Sequence, residues 1–183
     1  MEESELEAVV HRARLGDAEA FTELYQRFAR RVFGLCRHML GSTEAAEDAA
    51  SEVFLRLQGS MERYDASLPF PRWLLSVASH HCVDLLRRRR IESRLFVPEA
   101  LEGDAQNAPT GRSPLSEALA MERREQLTAA IERLPDRYRA ALVMRYYGEM
   151  SYDEIAAQTG LKRNHVATLI FRGKQELRRI LGA

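Results

Sequence analysis

Apolar side chains recur at intervals of three and four residues along most of the chain, the spacing that places them on one face of an α-helix. No segment alternates apolar and polar residues as a half-buried strand does. We therefore expect an all-α protein. The pattern predicts eight helices, over about residues 4–15, 18–40, 43–58, 71–90, 115–134, 135–147, 152–159 and 161–181.

Capping residues mark the ends of several of these segments. Ser4 with Glu7, and Ser151 with Glu154, have the spacing of a capping box, in which the side chains satisfy main-chain N–H groups of the first turn. Gly41 follows the second apolar run, as glycine often does at the end of a helix. These signals place helix starts near residues 4 and 151, and a helix end near residue 40.

The helical pattern is interrupted in the middle of the chain. Residues 93–114 contain three prolines and two glycines scattered among polar residues, namely Pro98, Gly103, Pro109, Gly111 and Pro114. This composition is typical of a flexible linker. We therefore expect two small helical domains, over residues 1–92 and 115–183.

Charge is unevenly distributed, although the net charge of the chain is zero. Residues 1–92 hold 13 Arg and 15 acidic residues, residues 93–121 hold 2 Arg and 4 acidic residues, and residues 122–183 hold 12 Arg or Lys and 8 acidic residues. The three segments therefore carry −2, −2 and +4. Since residues 162–183 have six basic residues and only Glu176 as an acid, the last helix is suited to an anionic partner.

Several classes of protein fit the sequence poorly. No apolar run approaches the roughly 20 residues that span a bilayer, and the first residues are acidic, unlike a secretory signal. We therefore expect a cytoplasmic protein with no membrane insertion. Cys36 and Cys82 lie among apolar residues, which predicts buried thiols. Together with His38, His80 and His81 they lack metal-site spacing, so we predict no metal and no cofactor.

Residues 151–181 have the parts of a helix-turn-helix: a short capped helix, a turn at Thr159 and Gly160, and a longer basic helix. The outward face of the longer helix combines amide, hydroxyl, aromatic and guanidinium groups, which suit phosphates and base edges in a major groove. A helical hairpin used only for packing is the alternative. The candidate duplex-binding residues are Arg163, Asn164, His165, Ala167, Thr168, Phe171, Arg172, Lys174, Gln175 and Arg179.

The helix predicted near residues 71–90, and the loop before it, combine aromatic and basic residues. Single-stranded DNA needs such groups, because aromatic rings stack on exposed bases and cations bind the backbone. A core position for Trp73 and a solvated helix end at 87–90 are the alternatives. The candidate residues are Arg63, Tyr64, Asp65, Phe70, Arg72, Trp73, Ser76, His80, Arg87 and Arg88, and Ser79 and Val83 are predicted to share the outward face.

The helix predicted at 43–58 has acidic residues around a leucine on the side opposite its apolar stripe. This arrangement favours a protein-binding face over a DNA-binding one. An ordinary exposed leucine is the alternative. The candidate residues are Glu47, Asp48, Ser51, Glu52 and Leu55.

Motifs along nearly the whole chain resemble the extracytoplasmic-function group of bacterial sigma factors, in the sigma-70 family. In the first half they are GDAEAF at 16–21, LY at 24–25, AED at 46–48, EVF at 52–54, Phe70, WL at 73–74, Ala78 and DLLR at 84–87. In the second half they are LP at 134–135, YR at 138–139, Leu142, RY at 145–146 and YDEIA at 152–156.

The resemblance implies a promoter-specificity factor with no catalytic site. Its region 2, residues 1–92, is expected to bind core RNA polymerase, read the −10 element and assist melting. Its region 4, residues 115–183, is expected to read the −35 element, and an anti-sigma factor is an expected partner. The chain departs from the family pattern at Ser51, where Gln is usual, at His80, often Asn, and at residues 164–169 of the recognition helix.

Two other classes of protein compete with this interpretation. A stand-alone helix-turn-helix regulator accounts for residues 151–181, but gives no role to the aromatic, basic helix or to the acidic face. A metal-dependent hydrolase lacks both a catalytic carboxylate–histidine arrangement and a glycine-rich loop in this sequence. The sequence therefore favours the sigma factor.

Overall fold

A computed structural model describes residues 3–64, 66, 68–96 and 117–182. Within these residues the protein is all-α, as predicted, and each predicted helix is present. A short 3-10 helix, Met61–Arg63, follows the third α-helix. The α-helices are α1 (Glu3–Arg14), α2 (Ala18–Leu40), α3 (Thr43–Ser60), α4 (Phe70–Phe96), α5 (Glu117–Glu132), α6 (Asp136–Tyr146), α7 (Tyr152–Thr159) and α8 (Arg163–Leu181). None of these described helices is long and apolar enough to cross a membrane.

Most helix ends follow the capping signals in the sequence. The Ser151 hydroxyl accepts a hydrogen bond from the main-chain N–H of Glu154, whose carboxylate accepts from the N–H of Ser151, which forms the predicted capping box. Gly41 ends α2 at φ 73°, a left-handed conformation that costs glycine little. The capping box predicted at Ser4 is wrong, because α1 begins at Glu3 and Ser4 already lies inside the helix.

The first half of the chain packs around α2, which contacts α1, α3 and α4. Its apolar stripe is buried along its whole length, in agreement with the three- and four-residue periodicity. Tyr25, the next residue after Leu24 in the same helix, is 48% exposed. The stripe consists of Leu24, Phe28, Val32, Leu35, Cys36 and Met39.

The second half packs around α6 and α8. Val166 and Ile170 of α8 are almost fully buried, as is Ile155 of α7. Gly173 allows close packing here, because a Cβ at this position would lie 3.2 Å from the side chain of Leu142 in α6. The side of α8 that carries Val166 and Ile170 is therefore its buried face.

The two halves pack against each other, which the sequence did not indicate. On one side α2 contacts α5 and α6, and on the other α4 contacts α6 and α7. Tyr147, directly after α6, donates a hydrogen bond to the main-chain carbonyl of Arg31 in α2 at 3.1 Å. A Cβ at Gly34 would overlap this Tyr147 hydroxyl. The two sets of helices thus share one continuous buried core.

This packing corrects the predicted outward face of α4. Ser79 is fully buried and Val83 is 6% exposed, although both were expected to face solvent. Val83 lines a small cavity between α4 and the second half of the chain. α4 also continues to Phe96, so residues 93–96 of the expected linker are helical. The rest of that expected linker, from residue 97, lies outside the described residues.

Candidate nucleic-acid interface

The predicted outward face of α8 is exposed. We call Asn164, Thr168, Phe171, Arg172 and Gln175 the recognition surface; all five are exposed, and Phe171 is 61% exposed. A single exposed aromatic ring is ordinary on a protein surface, but this ring lies on the same face as amide, hydroxyl and guanidinium groups. The face therefore has the chemistry that base edges and phosphates require.

The cations near the recognition surface differ in their availability. Arg172 has no hydrogen-bond or ion-pair partner within the described residues. Arg179 instead donates two hydrogen bonds to the Glu176 carboxylate, at 2.6 and 3.0 Å. Arg163 lies 3.3 Å from Asp153, and Lys174 lies over the Tyr146 ring. Arg172 is therefore the cation of this set that is most free to bind a phosphate. Of the remaining candidates, His165 is exposed and Ala167 is half-buried.

An aromatic cluster supports the loop before α4. The Tyr64 ring lies 5.0 Å from Trp73 and 5.5 Å from Phe70, centroid to centroid. The Tyr64 hydroxyl donates to the main-chain carbonyl of Leu68 at 2.6 Å, which ties the end of the loop to its start. Phe70 is only 3% exposed, so it supports the loop from beneath. Asp65 and the side chain of Arg63 lie outside the described part of the chain.

A cavity of about 610 Å³ lies between this loop and α1. Tyr64, Pro69 and Phe70 form one wall, and the helix contributes His11 and Arg14 to the other. Sequence reasoning missed the contribution of α1. The only signal for it was the basic end of that helix, which has no motif of its own.

The polar groups on the outward face of α4 bind to α7. Arg72 Nη2 donates to both carboxylate oxygens of Glu154, at 2.7 and 2.9 Å. Gln158 Nε2 donates to the Ser76 hydroxyl at 2.7 Å and to the Ser76 carbonyl at 3.1 Å. Arg87 donates to the main-chain carbonyl of Thr159. Three of the residues predicted to bind single-stranded DNA are therefore held by the second half of the chain.

The environment of Glu154 explains how it keeps its charge in this interface. Burial raises the pKa of Glu154, but hydrogen bonds from Ser151 and the nearby Arg72 guanidinium lower it more strongly, so the net pKa lies below the usual range. His80 and Arg88 remain exposed on α4. His80 Nε2 lies 3.6 Å from an Asp84 oxygen, and Trp73 is half-buried.

The face of α3 that the sequence predicts to bind a protein is largely exposed. Glu47, Asp48 and Ser51 are exposed, and Leu55 is 67% exposed. Glu52 is half-buried; a hydrogen bond of 2.6 Å from Arg56 lowers its pKa.

A groove next to this face was not predicted from the sequence. It measures about 260 Å³ and lies between α2 and α3 beside Glu47 and Ser51. The exposed ring of Tyr25, packed edge-to-face on Phe54 at 4.8 Å, lines it together with Phe33. Aromatic residues are enriched in protein interfaces, so the exposed Tyr25 ring at this groove is compatible with a protein-binding site.

The cysteines are buried, as predicted. Cys36 and Cys82 both have no exposed surface. A hydrogen bond with Cys36, together with burial, raises the pKa of the Cys82 thiol. Among the described residues, no group of three or more His, Cys, Asp or Glu side chains is placed to hold a metal ion.

Comparison with known proteins matches each half of the chain to a protein-family model. Residues 24–91 match the family model for sigma-70 region 2, and residues 124–177 match the model for sigma-70, region 4. The chain is 31% identical to the ECF RNA polymerase sigma factor SigM of Bacillus subtilis over 157 residues, which cover 85% of this chain and 91% of that protein. It is 28% identical to SigW of the same organism over 176 residues, with 94% of each chain covered.

A solved structure has the same fold. The sigma factor RpoE of Bartonella quintana, crystallised with the anti-sigma factor NepR, matches with a TM-score of 0.62 and 15% identity. The match covers 91% of this chain and 99% of that one. The two helix sets and their order are therefore those of a known sigma factor.

These matches define a promoter-specificity factor of bacterial RNA polymerase. The chain belongs to the sigma-70 family, in its extracytoplasmic-function group. It directs RNA polymerase to promoters, binds core polymerase and promoter DNA, and is not an enzyme. The helix-turn-helix predicted at residues 151–181 is its region 4 DNA-binding motif.

Proposed function

We propose that this sigma factor divides promoter recognition among three surfaces. The recognition surface of α8 reads the −35 duplex, the loop before α4 and the outward face of α4 read the single-stranded −10 element, and the acidic face of α3 binds core polymerase. Region 2 comprises residues 1–92, with α4 continuing to Phe96; the linker follows up to residue 114, and region 4 comprises residues 115–183. The roles of individual residues follow from their exposure and chemistry.

The exposure of Phe171 together with Arg172 carries the −35 assignment. A partnerless guanidinium can bind a phosphate, or the O6 and N7 atoms of a guanine, and an exposed ring can contact a thymine methyl group. Asn164, Thr168 and Gln175 add donors and acceptors along the same face. This combination suits an α-helix that lies in a major groove.

The cavity between α1 and the loop supports the −10 assignment. A base that leaves the duplex needs a pocket that replaces its lost stacking and pairing. The cavity of about 610 Å³ offers Tyr64 on one wall, and it offers His11 and Arg14 for the adjacent phosphates. His80 and Arg88 are exposed further along α4, where they can follow the strand. Promoter melting would thus be assisted by capture of an unpaired base.

The face of α3 supports the polymerase assignment, because it surrounds an exposed leucine with carboxylates. Such a patch suits a partner that offers an apolar side chain ringed by cations. The neighbouring groove at Tyr25 and Phe33 extends the same patch.

We place the protein in the cytoplasm, where its polymerase is. The RpoE structure contains an anti-sigma factor, and this chain is proposed to have such a partner too.

Gel filtration with core polymerase, followed by run-off transcription from a genomic promoter library, tests this function. The chain should co-elute with core polymerase and give transcripts that depend on its presence. The Phe171→Ala/Arg172→Ala variant should still co-elute but give far less transcript from promoters that need a −35 element. Failure to co-elute, combined with tight unaided binding to duplex DNA, would favour a stand-alone helix-turn-helix regulator.

A further inference from the structure

One wall of the cavity beside the loop before α4 carries a carboxylate as well as cations. Glu7, His11 and Arg14 of α1 line this cavity, and all three are exposed. They lie four and three residues apart, so they share one face of the helix. None of the three side chains has a hydrogen-bond or ion-pair partner among the described residues. All three are therefore available to a ligand in the cavity.

The carboxylate of Glu7 has a different use from the two cations. His11 and Arg14 suit DNA phosphates, whereas Glu7 repels them. Arg14 lies about 10 Å further along the helix axis than Glu7, so one part of a strand can meet the cations while another meets the carboxylate. A carboxylate contributes to DNA binding by accepting hydrogen bonds from a base. Glu7 is therefore placed to read a base and not the backbone.

The four bases differ in what their pairing edge offers to a carboxylate. A carboxylate only accepts hydrogen bonds, and its two oxygens can accept two parallel ones. Guanine presents two adjacent donors, the N1–H and the 2-amino group. Adenine and cytosine present one amino group beside a ring nitrogen that is an acceptor, and thymine presents one N–H between two carbonyls. Guanine is therefore the base whose edge matches both oxygens of a carboxylate.

We propose that Glu7 of α1 makes the cavity selective for guanine, by accepting hydrogen bonds from the N1–H and the 2-amino group of the captured base. This inference rests on the proposed capture of an unpaired −10 base in this cavity. Leu6 and Leu68, both half-buried, offer apolar surface to the faces of the base. The specificity residue thus lies on α1, outside both the loop and α4.

The base preference of the holoenzyme tests the proposal. Core polymerase with this sigma factor transcribes a set of promoters in which each −10 position of the non-template strand carries each of the four bases in turn. The wild type should have one −10 position at which guanine gives roughly five-fold or more transcript than any other base, as expected for a bidentate contact.

Inosine at that position isolates the contact with the 2-amino group, which inosine lacks. The template is already mispaired across the −10 element, so the strength of the base pair does not enter the comparison. Replacing guanine by inosine should lower the wild-type transcript by roughly five-fold, because one hydrogen bond to a charged acceptor is lost.

The Glu7→Gln variant should change the preferred base. A glutamine amide accepts one hydrogen bond and donates one, which matches the amino group and N1 of adenine. The preference for guanine over adenine should therefore fall by roughly five-fold or more. Glu5→Gln is the matched control, because it makes the same charge change at an exposed position of α1 that does not line the cavity. It should keep the base preferences of the wild type.

The outcomes separate this proposal from the proposed function. Unchanged −10 preferences in Glu7→Gln, in a holoenzyme that still reads the −10 element, would overturn the role of Glu7 and leave the proposed function standing. A position that depends on Glu7 but prefers a base other than guanine in the wild type would overturn the selectivity for guanine. Absence of any base preference across the −10 element would count against the capture of a −10 base, and with it against this inference.

Discussion

Arg139 of α6 donates a hydrogen bond from Nε to the main-chain carbonyl of Met39, near the end of α2, at 3.2 Å. The same guanidinium donates to the Glu132 carbonyl and to the Asp136 carboxylate. Only 7% of Arg139 is exposed. A single buried cation thus joins the end of α5, the start of α6 and region 2.

Arg139→Met should lower the free energy of unfolding by about 1–3 kcal/mol, because it leaves two main-chain carbonyls without this buried donor. Urea denaturation followed by circular dichroism measures the loss. Arg137→Met is the matched control, since Arg137 is exposed on the same helix and should change stability little. Equal effects of the two substitutions would show that the buried hydrogen bonds contribute nothing particular.

Arg172→Ala should weaken binding to the −35 duplex and reduce its dependence on salt. If Arg172 binds one phosphate, the slope of log affinity against log salt should fall by about 1. If it binds a base, discrimination at one position should fall by about 1–3 kcal/mol instead. Fluorescence anisotropy over a salt series measures both. Arg178→Ala is the control, and an unchanged affinity and slope for Arg172→Ala would place this side chain away from DNA.

Asp48→Arg and Leu55→Asp should each weaken binding to core polymerase by roughly ten-fold or more, because each disrupts the centre of the proposed interface. Surface plasmon resonance with immobilised core enzyme measures the change. Glu125→Arg makes the same charge change as Asp48→Arg, at an exposed position of α5, and should bind core polymerase as tightly as the wild type does. Wild-type affinity in both α3 variants would show that polymerase binds elsewhere.

Stability should fall as the pH decreases below about 6.5. Burial lowers the pKa of His38 and of His81 below the ordinary value for histidine, so the unfolded chain takes up protons as the pH falls that the folded chain does not. Protonation therefore stabilises the unfolded state relative to the folded state as the pH falls, and the free energy of unfolding decreases below about pH 6.5. Urea midpoints at about pH 8 and about pH 5.5, above the range where carboxylates titrate, measure the effect.

The His38→Gln/His81→Gln variant tests whether these two histidines cause the pH dependence of stability. Its midpoint should change less between the two pH values than that of the wild type. His165→Gln, which alters an exposed histidine, should keep the wild-type dependence. A double variant with undiminished pH dependence would assign the effect to other groups.

The helices could be predicted from the sequence because each one buries a periodic apolar stripe and most have recognisable caps. The exposed faces of α3 and α8 were predicted correctly for the same reason: the side opposite a buried stripe faces water unless another element covers it. Ser79 and Val83 on α4 are that exception. Periodicity specifies one buried face of a helix, and does not show that a second element will cover the other.

The contacts between the regions could not be predicted because they join residues distant in sequence through individual polar pairs. Arg72 and Glu154 are each ordinary surface residues by pattern, and nothing in their spacing indicates that they meet. The wall that α1 adds to the cavity near Tyr64 could not be predicted either, since His11 and Arg14 belong to no motif. The roles of the individual residues in binding promoter and polymerase remain predictions.

Melting of the −10 element by the holoenzyme tests the central claim most directly. Core polymerase is assembled with the His80→Ala/Arg87→Ala variant of this sigma factor, with the wild type, or with Arg89→Ala as a control in the same basic run. The permanganate reactivity of −10 thymines is then compared among the three holoenzymes. The double variant should assemble normally with core polymerase but fail to melt a duplex promoter. It should recover much of its activity on a template already mispaired across the −10 element. Such a template no longer requires the few kcal/mol that unstacking the bases costs. Wild-type permanganate reactivity by the double variant on the fully paired promoter would contradict the assignment of −10 recognition to α4.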